Sequence, residues 1–371
     1  MEYIVDIYNS LFKNYITYDR LFQMNTKAFY GKTEAVHANI FIDIRSFTNS
    51  LFKNSNIRYE YKDKQTPIAS SLINLAIHLR HYYRSRHSTE TKIYLVWGAN
   101  VISMLPKHGD YNAHNNMAFM VNSNMRDILK NSLDLLKTLC PYLPGIYYVD
   151  VGSCETSLGI QTLIDYPDKS GIYKGVPNII YSKDPYACQL VATNSYTFMF
   201  YCSKHSGKNG ATDNSFIIEK KNLYEAFSII NKYTTKAYYP TNVAMFNVVI
   251  ALSGMKCRHV DGPMSYTNAC KLIAKYEDII PHGLRGDPLL TRITLSELDT
   301  LSDTERKAIL NDSIIDNNEE LDIGINKVVF VLSRPEVASI FDGCIDLYSP
   351  EDIKRINDKF FVNYPLDIMR L

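Results

Sequence analysis

Apolar and polar positions along the first half of the chain fall into blocks of two kinds. Short runs rich in β-branched and aromatic residues occur at 38–44 (Ala-Asn-Ile-Phe-Ile-Asp-Ile), 92–97 (Lys-Ile-Tyr-Leu-Val-Trp), 146–151 and 178–181. Their length and near-continuous hydrophobicity predict strands buried on both faces. Between them lie longer stretches with apolar residues at helical spacing: 46–53, 67–86 (Ile68, Leu72, Leu75, Ile77, Leu79) and 123–139. Strands alternating with helices predict an α/β fold, a parallel twisted sheet flanked by helices. Past about residue 190 the pattern changes. Residues 196–202 and 215–219 read as strands flanking a polar, glycine-rich loop at 203–214, a hairpin-like excursion. Helices are predicted from Leu223 onward, with capping boxes at Thr294/Glu297 and Ser302/Glu305 and a Ser349-Pro350-Glu351 start. The acidic 311–322 stretch reads as a solvated linker. The expected organisation is an α/β core over 1–200, an excursion and helical region over 201–280 that completes it, and a mainly helical extension over 281–371.

Composition changes this picture little. With 371 residues and 46% hydrophobic content the chain can bury a large core. Lys+Arg 40 against Asp+Glu 39 leaves a formal charge of +1, so a nucleic-acid partner would have to be met by a local patch. The basic end of the second helix, Arg80-His81-Tyr82-Tyr83-Arg84-Ser85-Arg86, is one such patch. No apolar run approaches the roughly 18 residues of a membrane span, and the acidic start, Met1–Asp6, lacks a signal peptide's basic region. The expectation is a cytoplasmic protein with no membrane partner. Seven scattered cysteines without a C-x-x-C pair indicate neither a zinc site nor a disulfide framework. Gly31-Lys32-Thr33 ends like a phosphate-binding loop, but Thr26 stands where its first glycine belongs.

In a parallel sheet, ligands bind beyond the carboxyl ends of strands. Those ends carry, in chain order, Asp43, Gly98, Glu155 and Asp184. Acids often cap helices or sit in turns, so each alone says little; their ordered placement makes them candidates. The surrounding strings go further. Phe41-Ile42-Asp43-Ile44-Arg45-Ser46-Phe47, Leu95-Val96-Trp97-Gly98, the 151–160 block around Glu155, and Ser182-Lys183-Asp184-Pro185-Tyr186-Ala187-Cys188-Gln189-Leu190 resemble, in the same order, motifs of the flap endonuclease and 5′→3′ exonuclease family with its PIN-like core. Asp110–Asn115 is similar to that family's helical-gateway segment. Residues 252–260, with 267–272, are similar to its helix-hairpin-helix entry.

The resemblance covers roughly residues 38–275 and implies a metal site built on Asp43, Glu155 and Asp184. It also implies six further acidic positions, which this chain fills with Gly98, Ser157, Leu158, Tyr186, Met255 and Arg258. Two-metal phosphodiester hydrolysis needs enough carboxylates to hold two hard cations about 3.5–4 Å apart. Three carboxylates suffice for no cofactor, or for a single weakly bound Mg²⁺ or Mn²⁺. The expectation is therefore a catalytically inactive relative, a pseudo-nuclease. It would bind branched or single-stranded DNA by backbone contacts through Arg80, Arg84, Arg86, Lys256, Arg258 and Lys271, with Lys204 and Lys208 in the polar loop, or serve as a subunit of a replication, transcription or virion assembly. A bias toward Asn, Ile, Lys and Tyr suits an AT-rich phage genome. The alternative is an active Mg²⁺-dependent 5′ nuclease that draws missing ligands from Asp110, Asp150 or Asp261.

Overall fold

The 38–44 run forms β1 (Val36–Asp43), the third strand in from one edge of a six-stranded sheet. A computed structural model describes residues 36–48, 60–61, 64–65, 67–87, 89–98, 123–152, 156–207, 210–233, 238–255, 260–261, 265–276, 338–347 and 351. After β1 come α1 (Pro67–His87), β2 (Thr89–Trp97), α2 (Ser123–Leu139) and β3 (Ile146–Asp150). Next are α3 (Thr156–Asp165), the short α4 (Pro167–Ser170), β4 (Asn178–Ser182) and α5 (Cys188–Thr193). A hairpin follows, β5 (Thr197–Gly207) and β6 (Gly210–Ile218), and then α6 (Leu223–Ile230), α7 (Phe246–Ser253) and α8 (Tyr266–Tyr276).

The spatial order is β3-β2-β1-β4-β5-β6. All neighbours are parallel except β5 and β6. The chain therefore winds outward from β1 through β2 to β3, then returns to lay β4 on the other side of β1. Side-chain alternation in buried strands demands cover on both faces. Ile40, Ile42, Ile93, Leu95, Ile179 and Tyr181 face α1 and α2 in one core. Phe41, Tyr94, Val96, Ile180, Met199 and Tyr201 face α3 and α5–α8 in the other. The predicted α/β sheet flanked by helices is the fold observed.

Two sequence expectations need correction. β2 begins three residues before the apolar run, because Thr89, Glu90 and Thr91 pair with Val36, His37 and Ala38 of β1. Tertiary pairing overrides local polarity there. Of the segment read as a polar loop, residues 203–207 and 210–214 instead form an antiparallel ladder, with Ser203 opposite Asn214, Lys204 opposite Asp213 and Gly207 opposite Gly210. Polarity alone says nothing against a ribbon that has no face to bury. The capping boxes at 294–305 and the acidic 311–322 stretch lie outside the described residues.

One buried polar side chain sets the register at the centre of the sheet. Asn39, fully enclosed in β1, donates to Asn178 Oδ1 and to the Tyr173 carbonyl at 2.9 Å, and accepts from the Tyr173 amide at 2.9 Å. Asn39 pairs with Asn178 and Ile42 with Tyr181, so the next residues along, Asp43 and Ser182, arrive side by side at the carboxyl edge.

At the far edge, residues 338–347 come back to cover β3. Tyr147 donates to Asp346 Oδ2 at 2.9 Å, and Leu347 donates its amide to the Pro141 carbonyl. Gly343 lies so close to the Tyr148 carbonyl that a Cβ would collide with it.

Candidate functional site

A sheet that winds both ways from its centre opens a crevice where the strand order reverses, at the carboxyl ends of the two central strands. Here that point lies between β1 and β4. Dinucleotide-binding sheets put a glycine-rich turn there. This chain puts a carboxylate there, which would repel a pyrophosphate.

Asp43 ends β1 and is 5% exposed. Its Oδ1 accepts from the Ser46 amide at 3.2 Å, so it caps the helical turn 44–48 that β1 runs into. Its Oδ2 accepts from the Ser182 hydroxyl at 2.7 Å. Ser182 Oγ accepts in turn from the Asp184 amide at 3.0 Å. Ser46 closes the other side, donating its hydroxyl to the Asp43 carbonyl and accepting from the Lys183 amide, both at 3.0 Å. Residues 43–46 and 182–184, remote in sequence, are thus stitched into one unit, with half-buried Asp184 at its mouth.

Burial is the largest influence on Asp43 and pushes its carboxyl up to about 6. The Ser182 hydrogen bond opposes that rise, the neighbouring Asp184 charge adds to it, and the Ser46 amide and Arg45 oppose it more weakly. An N-cap carboxylate is ordinarily favoured in its ionised form; here loss of water outweighs the cap.

The residue beyond β2 is buried Gly98, where the motif resemblance implies an acid. Arg45 Nη1 lies 3.4 Å from the Gly98 carbonyl oxygen. A guanidinium thus stands at this end of the crevice, beside Asp43. Lys183 brings a second cation, its ammonium 5.1 Å over the Phe47 ring. Neither cation was singled out from sequence, nor was Ser182. The signal lay inside the quoted motifs, in the hydroxyl two residues before Asp184 and the arginine two residues after Asp43.

Asp150, an alternative ligand, is exposed at the end of β3 and accepts from the Gly152 amide at 2.8 Å. β3 is two strands from β1, which puts it about 10 Å to the side. Ser157 is half-buried near the start of α3. Glu155, Asp110, Lys256 and Arg258, and the side chains of Arg86, Leu158, Tyr186, Met255 and Asp261, lie outside the described residues.

The basic end of α1 is not part of this unit. Arg80 is half-buried and donates to the Pro144 carbonyl, just before β3 begins; burial holds its guanidinium below its ordinary value. Arg84 is exposed and pairs with Glu90 at 3.3 Å. Glu90 lies six residues before Val96, the register partner of Asp43, about 20 Å along the strand. Because α1 runs back against the strands, Arg80 and Arg84 sit at the amino edge and share no phosphate with Asp43. Lys271 is exposed on α8, which is anchored to the second core by Tyr266, Ala269, Leu272 and Ile273.

Among the described residues no group of three or more His, Cys, Asp or Glu is arranged to hold a metal. One or two carboxylates can retain a magnesium-type ion that keeps most of its waters; the acids brought to this end of the sheet are Asp43 and Asp184. They fall short of a ligand set for two ions. No helix among the described residues is long and apolar enough to cross a membrane.

No protein-family model matches the chain, and no curated protein sequence matches it. Among solved structures, the chain is distantly similar to the T5 D15 protein co-crystallized with metal ions. The TM-score is 0.48 at 13% identity, over 80% of this chain and 90% of that one.

Proposed function

We propose that this chain is a nuclease-type scaffold that holds DNA without cutting it. The observation that carries the reading is the charge pattern at the switch point. Ser182 links the Asp43 carboxylate to the Asp184 amide, and the Asp184 charge is near enough to raise the Asp43 carboxyl. Yet the Gly98 corner is served by the Arg45 guanidinium instead of a third acid. One Mg²⁺ or Mn²⁺ bound weakly by Asp43 and Asp184 would supply charge neutralisation for a phosphate. A second ion, needed to stabilise both attacking and leaving oxygens, has no ligand set among the described residues. Each 1.36 kcal/mol of lost transition-state stabilisation lowers the rate about tenfold, so cleavage falls away while attraction for backbone phosphates, aided by Arg45 and Lys183, persists. The Asn, Ile, Lys and Tyr bias adds support for a phage origin.

The test is a 5′-flap DNA incubated with the full chain and Mg²⁺ or Mn²⁺, beside a binding titration on the same DNA. The expected result is binding that weakens steeply with salt, as backbone contacts do, and no product. Metal-dependent cutting that Asp184→Ala abolishes would overturn the reading in favour of an active 5′ nuclease. Neither binding nor cutting would leave the scaffold as an interaction subunit of a larger assembly.

A further inference from the structure

Each of the two segments that meet at the switch point brings one acid and one cation. Residues 43–46 carry Asp43 and Arg45, and residues 182–184 carry Asp184 and Lys183. The Ser46 and Ser182 hydrogen bonds hold both segments together at one end of the sheet. Both cations are half-buried. Arg45 reaches from the end of β1 to the end of β2, where its Nη1 lies 3.4 Å from the Gly98 carbonyl oxygen. Its charge is felt by Asp43, whose carboxyl it pulls down against the effect of burial.

That arrangement is the reverse of what a two-ion centre needs. Hard divalent ions are held by an excess of negative oxygen, and a guanidinium stays protonated at any working pH. An ion drawn to Asp43 and Asp184 therefore meets like charge from Arg45, while no group of three acids stands ready for it among the described residues. For a phosphate the same guanidinium does what an ion would do. It neutralises charge, its planar fork matches two phosphate oxygens, and it is weakly hydrated, so it gives up its water at low cost. Lys183, its ammonium 5.1 Å over the Phe47 ring, adds a second positive charge on the same unit. Resting on the DNA-holding reading above, we propose that Arg45 is a built-in replacement for a metal ion: it receives a DNA backbone phosphate at the switch point with no ion present.

The test measures binding of a labelled 5′-flap DNA to the full chain by fluorescence anisotropy, in EDTA and in Mg²⁺ at matched ionic strength, across a salt series. The wild type should bind equally well in both. Loss of one phosphate contact lowers the slope of log K against log salt by about 1, or about tenfold in affinity near 0.1 M salt. Arg45→Ala should show that loss in EDTA and recover most of it in Mg²⁺, because an ion can now sit at the carboxylates without facing a guanidinium. Adding Asp184→Asn to Arg45→Ala should abolish the recovery. Arg45→Lys, which keeps the charge, should bind in EDTA like the wild type. Wild-type binding that collapses in EDTA overturns the replacement. So does an Arg45→Ala variant as tight as the wild type in EDTA, or one equally weakened with and without Mg²⁺, since an arginine that only shapes the loop cannot be exchanged for an ion. Each of those results leaves the DNA-holding reading intact. A wild type that binds no DNA in either buffer overturns both.

Discussion

Replacing Asp43 by asparagine removes one charge from the centre of the site while keeping its shape, and the effect on stability should depend on pH with a definite sign. The carboxyl is raised from an ordinary 3.8 to about 6 in the folded chain. A group raised in this way favours folding in its protonated form. Its contribution is fully present below about pH 3.8 and is lost as pH climbs through 6. Each pKa unit corresponds to about 1.4 kcal/mol, so above pH 7 the wild type carries a penalty of about 3 kcal/mol for an ionised, buried Asp43. The Asp43→Asn variant carries none. Its side-chain amide oxygen can still accept from the Ser46 amide, and the Ser182 hydroxyl can accept from the side-chain NH₂, so the hydrogen bonds are preserved by rotating one hydroxyl. In metal-free buffer the variant should match the wild type near pH 3.5, gain between pH 4 and 6, and level off about 3 kcal/mol more stable by pH 7.5. Denaturant titrations at several pH values measure the difference. A gap that does not change with pH, or a variant less stable at pH 7.5, would refute the view that desolvation dominates at this carboxylate.

Other substitutions separate register, structure and site. Asn39→Ala should cost about 2–4 kcal/mol in denaturant midpoint experiments, because it strands the buried Asn178 side chain and the Tyr173 backbone groups. Arg80→Ala should cost about 2 kcal/mol through its lost buried bond to Pro144, whereas Arg84→Ala, at an exposed ion pair, should change stability by less than about 1 kcal/mol. Neither arginine variant should alter DNA binding at the carboxyl edge; a salt slope reduced by Arg80→Ala would contradict the placement of α1.

The alternation of apolar runs and helical stretches was enough to name β1 through β4 and the helices α1 and α2, because strands buried on both faces leave a strong local mark. Strand order left no such mark. That β4 returns to the far side of β1 follows from packing between residues some 140 positions apart, and only that return makes Asp43 and Asp184 neighbours. Candidate acids were legible because they stand at strand ends. The placement of the basic string was hidden for the same reason as strand order: Arg80 and Arg84 stand together in sequence, but helix direction carries them to the amino edge, away from Asp43. Arg45, the cation beside Asp43, sits in no cluster that composition could flag. The hairpin was expected, but its extension through 203–207 and 210–214 was missed because those residues have none of the alternation by which strands are usually recognised.

The return of residues 338–347 to β3 has a consequence for synthesis of the chain. Tyr147 and its partner Asp346 are separated by 199 positions. At about 5–20 residues per second, β3 waits roughly 10–40 seconds between leaving the ribosome and receiving its cover. Throughout that interval the sheet has an open flank, able to pair with any extended segment nearby. Gly343 marks where the closure finally fits, its missing side chain leaving the gap that the Tyr148 carbonyl fills. Shortened chains that stop before residue 338 should therefore emerge folded in outline yet prone to stick to one another, and expression of the intact protein should be sensitive to whatever shields a nascent sheet.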